Sequence, residues 1–206
     1  MKIMSNFSDL FTPPKKLIIQ VFGKKYFYND YISIISTKDA LMWREWLIKT
    51  FHKKDIIPDG KWFFLYQESR YSSYVIGIIE NSSDGSRVFP FSLFIVCKRY
   101  PSDIIFLWDE LCNIWEEQKK FSSYDSIYNY LRTQTIFQGL KENIPKSNAQ
   151  LTNKEQMKSF FSKRTFLYPK LFVSKGIMSS NFFIADKNFS KEDIFKMWKE
   201  LNHEHL

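Results

Sequence analysis

Residues 74–96 carry two strongly apolar runs, YVIGII at 74–79 and RVFPFSLFIV at 87–96, separated by a small polar stretch around Asp84-Gly85. Runs of this length, rich in β-branched and aromatic residues and split by turn formers, predict a β-hairpin. The rest of the chain must supply strands beside that hairpin and helices over it. LIIQVFG (17–23) reads as a buried strand stopping at Gly23. KWFFLYQ (61–67), PKLFVSK (169–175) and NFFIA (181–185) read as further strands.

Helical spacing appears between these runs. A helix should start near Ser36, with Asp39 three residues on as a capping partner, and carry Leu41, Trp43, Trp46, Leu47 and Ile48 inward. A second is expected from Pro101 to about Lys120, with Ile104, Leu107, Trp108, Leu111 and Trp115 on one face. A third is expected over 123–140, closed by Gly139 or by the Pro145 region. Capping pairs Thr152/Glu155 and Ser190/Asp193 predict two more. Strands and helices thus alternate in blocks, which predicts an α/β fold with a mixed sheet and helices on both faces. Residues 1–14, ending in Pro13-Pro14, read as a flexible N-terminal arm, with one domain over 15–206. IPKSNAQ (144–150) is the best linker, so a subdivision is expected near 143–151.

At 206 residues and 18% aromatic, the chain has enough apolar mass for a core without metal or disulfide. Cys97 and Cys112 lie inside apolar runs, where a free thiol acts as a small hydrophobe. With no signal peptide ahead of them, a reducing cytoplasmic location is expected. The longest apolar run, 88–97, falls short of the ~20 residues that span a bilayer, so no membrane insertion is expected. The formal charge of +8 raises the question of nucleic acid. The cations come as scattered pairs with acids between them, a pattern that reads as an ordinary solvated surface and predicts no nucleic-acid partner.

A search for chemistry returns little. Six glycines, none close to another, leave no phosphate loop. His52 sits at a helix end, and His203 and His205 lie in the C-terminal tail, so neither a metal site nor a histidine-based engine is expected. No cofactor is implied. Trp43 and Trp46, three apart, read first as core and second as a partner anchor. The polar set Asp30, Ser82, Asp84 and Arg87 remains. An Asp–Arg clasp joining loop to loop explains it better than catalysis does. A small hydrolase using Asp30 or Asp84, and a basic nucleic-acid-binding module, stay as alternatives.

The spacing of these residues resembles the TagF/ImpM family of bacterial type VI secretion accessory proteins. Gly23-Lys24, Asp30-Tyr31-Ile32 and Trp43-x-x-Trp46-Leu47 resemble its first block. Gly77-Ile78-Ile79, Ser82, Asp84 and Arg87-x-Phe89-Pro90 resemble its second, with Trp62-x-Phe64 between them. Pro169-x-Leu171 and Gly176-Ile177 resemble a late strand and turn. Asn29 stands where the family usually has Gly, and SFFSKRTF replaces its later paired tryptophans.

The resemblance implies a three-layer α-β-α sandwich with no enzymatic activity. It implies a post-translational regulator, expected to repress, that binds the forkhead-associated scaffold protein of the secretion system. Contact is expected around the loops at 24–31 and 81–87, through Lys24, Lys25 and Tyr26, with Trp43 as a possible anchor.

Overall fold

The hairpin expected at 74–96 is the centre of the molecule. In a computed structural model, which describes residues 15–25, 30–51, 60–69, 71–83, 88–101, 103–138, 170–174 and 182–185, strands β5 (Tyr74–Ser83) and β6 (Val88–Cys97) pair from Tyr74↔Cys97 to Ser83↔Val88. On the β6 side lie β2 (Gln20–Lys24) and then β3 (Tyr31–Ile34). On the β5 side lie β4 (Trp62–Gln67), β8 (Lys170–Ser174) and β9 (Phe182–Ala185). The seven-stranded order is β3-β2-β6-β5-β4-β8-β9. Strands on both sides of the expected division near 143–151 therefore belong to one sheet. Residues 1–14 and the break region itself lie outside the described residues, as do the expected helices at 152 and 190.

Every pairing between the described strands is antiparallel, which corrects the expected mixed sheet. Parallel neighbours need a crossover that returns the chain to the adjacent strand in the same direction. Here α1 (Lys38–Thr50) connects β3 to β4, which lie four places apart in the sheet, so block alternation along the sequence does not become parallel pairing.

The sheet separates two cores, because successive side chains of a strand face opposite ways. Along β4, Trp62, Phe64 and Tyr66 join Ala40, Trp43 and Leu47 of α1. Phe63 and Leu65 join the other core, with Leu107, Trp108, Leu111 and Trp115 of α2 (Ile104–Gln118) and Ile127 and Leu131 of α3 (Tyr124–Thr133). The helix starts follow side-chain caps: Thr37, Asp103 and Ser123 each accept a backbone N–H at the first turn. The cap of α1 is Thr37, one residue past the expected Ser36, whose own N–H donates to Gln20 Oε1 at 2.7 Å. No helix among the described residues is long and apolar enough to cross a membrane.

Two boundaries differ from the sequence expectation. The strand read at 17–23 is two, β1 (Lys15–Ile18) and β2, and β1 leaves the main sheet to pair with β7 (Thr135–Gln138). The third helix stops at Thr133, because Gln134 turns extended and Ile136 buries opposite Leu17 in that ribbon. The β-branched Thr133, Thr135 and Ile136 were the available signal.

Gly77 has a cross-strand reason to be glycine. Its ladder partners are Phe64 and Phe94, and a Cβ there would sit 2.7 Å from Phe64 Cε1 and 2.6 Å from Phe94 Cβ. Gly77→Ala should therefore lower stability by about 1–3 kcal/mol through overpacking. Denaturant unfolding checks this, and an unchanged midpoint would mean that the two rings make room freely.

Candidate binding site at the two-hairpin end of the sheet

The two sequence blocks that carry the family resemblance meet at one end of the sheet. β2 ends at Lys24 and returns as β3 at Tyr31, while β5 ends at Ser83 and returns as β6 at Val88. Since β2 pairs antiparallel with β6 (Gly23↔Phe91), the end of β2 at Lys24 and the start of β6 at Val88 lie at the same end of the sheet. Tyr26, Asp84 and Arg87 lie outside the described residues, and so does the Asp–Arg clasp. Asp30 is exposed beside α3: burial first, then Tyr128 and the Asp30 charge, raise the pKa of Tyr124. Ser82 is half-buried on β5 opposite Phe89.

The turn geometry depends on Gly23. It is held at φ 143°, and a Cβ there would lie 2.1 Å from the Pro90 carbonyl oxygen. Gly23 does not stop the strand; it lets β2 pass close against Pro90-Phe91. Past Phe91, the ladder of β6 continues with β5 alone, so Pro90 occupies an edge segment where a missing N–H is tolerated. The alternation also breaks there. Phe89 packs into the α1 core while Phe91 packs into the α2 core.

Lys24 and Lys25 do not form one contact patch. Adjacent strand residues point to opposite faces, and each lysine settles over different rings. Lys24 is fully buried on the α1 side, its Nζ 5.6 Å from the Tyr31 ring centre. Lys25, half-buried on the α2 side, places Nζ 4.8 Å from the Phe91 centre and 5.8 Å from that of Trp115. The expected pair of exposed contact lysines is thereby corrected.

Trp43 is likewise core and not an anchor. It stacks on Phe64 at 4.2 Å and on Trp46 at 5.0 Å, and its Nε1 donates to Ser92 Oγ at 3.1 Å. Ser92, a fully buried hydroxyl within a strand, was not singled out in the sequence; a lone polar residue inside an apolar run is the signal that marks it.

Beside Asp30, the exposed large side chains among the described residues at this end are aromatic and aliphatic. Tyr31 stacks on Phe22 at 5.5 Å and meets Phe89 edge-on at 5.0 Å, yet is 41% exposed, and Val88 is 42% exposed. Arg44 of α1 lies over the other member of this trio, its Cζ 5.9 Å from the Phe22 ring centre. Among the described residues no group of three His, Cys, Asp or Glu side chains is arranged to hold a metal. Burial pushes the Cys97 thiol up to about 11 and raises that of Cys112 as well, so both stay protonated near neutral pH.

Burial lowers the Lys25 pKa to about 8 against the opposing charge of Glu80. The same lysine titrates near 10.5 when unfolded, so between these values the unfolded chain binds more protons and stability rises with pH. Below about 8 the ammonium is charged in both states, and its desolvation is a constant cost. Lys25→Met should melt above the wild type at pH 7, with the gap closing as pH rises from 8 toward 10.5. Melting curves across that range check it; a gap that stays constant would mean that Lys25 is not desolvated.

No family model matches this chain, and no curated protein matches it in sequence. In fold it is similar to the crystal structure of PA0076 from Pseudomonas aeruginosa PAO1, with a TM-score of 0.52 at 10% identity over 87% of this chain and 93% of that one. At that identity the likeness is one of fold alone.

Proposed function

We propose that this protein is a TagF-like regulator of a bacterial type VI secretion system. It acts in the cytoplasm by stoichiometric binding to a scaffold component, the forkhead-associated protein, and it represses secretion after translation. In this reading α1 on one face of the sheet and α2 with α3 on the other are the outer layers of a three-layer sandwich.

The observation that carries the reading is the convergence of the two motif blocks. Residues 23–32 and 77–90 are far apart in sequence, yet β2, which ends at Lys24, pairs with β6, which starts at Val88, so the strand ends leading into both blocks meet at one end of a single sheet. Two of the motif glycines, Gly23 and Gly77, stand where any side chain would collide with a neighbouring strand. The motif spacing is thus tied to a specific packing. The recognition surface beside it is made of exposed aromatic and aliphatic side chains.

A protein acting by occupancy has an effect that scales with its concentration relative to its target. Deleting the gene should raise secretion of type VI substrates, and overproduction should suppress it with transcript levels unchanged. The scaffold protein should co-purify with it. Full repression by amounts far below the scaffold's level would overturn the stoichiometric reading and require a catalytic one.

A further inference from the structure

Among the described residues, Arg44 near this end of the sheet has a buried Nε with no hydrogen-bond partner. On a helix, ion partners sit three or four residues away. For Arg44 those positions are Ala40, Leu41, Leu47 and Ile48, none of which carries a charge. No described carboxylate pairs with it from elsewhere, and its Nε is buried without a hydrogen-bond partner. The guanidinium is already half-desolvated and held over Phe22.

Its neighbours along the helix are equally unusual. Leu41 and Ile48, at i−3 and i+4, are 40% and 42% exposed, and they flank Arg44 in a single stripe on the outside of α1. Through Phe22 the stripe adjoins Tyr31, the exposed aromatic of the hairpin end. A solvated helix face would place charged residues at 41 and 48. Apolar side chains around an oriented, unpaired guanidinium form instead the composition of an interface core, with arginine and tyrosine at its centre.

From this arrangement we infer that the Leu41–Arg44–Ile48 stripe is a docking surface for an acidic side chain flanked by apolar residues on a partner protein. The inference deepens the regulatory reading and rests on it. The fixed guanidinium receives the carboxylate through its planar fork. Because the cation is already ordered and partly stripped of water, it adds little ordering cost on binding. Charge complementarity agrees, since a chain of net charge +8 favours an acidic counterpart.

The test uses the full chain and the purified forkhead-associated scaffold protein as probe, with affinity measured by calorimetry at low and at physiological salt. Arg44→Glu should weaken binding by about tenfold or more, as loss of a desolvated charge pair does. Arg44→Lys should fall between it and the wild type, since it keeps the charge and loses the fork. Ile48→Ser should weaken binding with the charge intact, which separates the apolar flank from the cation. Ile48→Ser should melt near the wild type, and the Arg44 variants should lose only the ring contact with Phe22, so all three stay folded at the assay temperature. Wild-type binding that Arg44→Glu leaves unchanged would overturn the docking surface while sparing the regulatory reading. A wild-type protein that fails to bind the scaffold even at low salt would overturn the regulatory reading and, with it, the occupant.

Discussion

Phe64 and Phe94 close over Gly77 from the strands on either side of it, and Trp43 lies flat on Phe64 with its indole N–H spent on Ser92. The α1 side of the molecule depends on that contact. A side chain at 77 would push both rings outward, and with them the tryptophan that fixes the helix to the sheet. Each such ring pair adds about 0.5–1.5 kcal/mol beyond its buried area. The pairing of Trp43 with a buried hydroxyl also removes the cost of an orphaned donor in an apolar core. Since Trp43 sets the rotation of α1, it decides which residues of that helix face water: Lys38, Leu41, Glu45, Ile48 and Lys49.

Much of this was legible in the residues because periodicity reports burial. The 74–96 hairpin, the strand at 62–67 and the helix through Trp108 and Trp115 were all readable from apolar spacing. The order of strands was not. Whether β2 pairs with β6, or β4 with β8, is settled by which hydrophobic faces fit across the sheet, and no local pattern encodes that. The break at Ile19 was hidden for a related reason. LIIQVF is apolar on both sides of Gln20, and a single polar residue does not tell a turn between partner strands from a buried hydrogen bond, the role Gln20 takes with Ser36.

The candidate site was legible in its location and not in its side chains. The family blocks pointed to the loops at 24–31 and 81–87, and the strand ends that lead into them, Lys24 and Val88, lie at one end of the sheet. The expected contact residues are chosen by type: two lysines, Tyr26 (outside the described residues) and Trp43. Strand alternation sends Lys24 and Lys25 to opposite cores, and helix rotation sends Trp43 inward. The same rotation brings its neighbour Arg44 to the surface. A wheel of α1 drawn from sequence gives apolar residues nearly all round, so which aliphatics were core and which were face had to come from the packing of Trp43.

The +8 charge divides into classes once the structure is known. Lys61 and Lys119 share Glu116, both at 3.0 Å, and Lys120 holds Glu117 at 2.6 Å. Exposed pairs of this kind contribute little to stability or recognition and are screened by salt. Lys24 and Lys25 are covered by rings and are not presented to a partner. Arg44 belongs to neither class, being desolvated like the second and still reachable like the first. An association that used the paired surface lysines would have to break existing ion pairs and rehydrate acids, gaining little. One that used Arg44 would satisfy a group the fold leaves unsatisfied. Among the described residues, the proposed docking surface therefore rests on Arg44 at the outer face of α1, while the paired lysines contribute only to the long-range field.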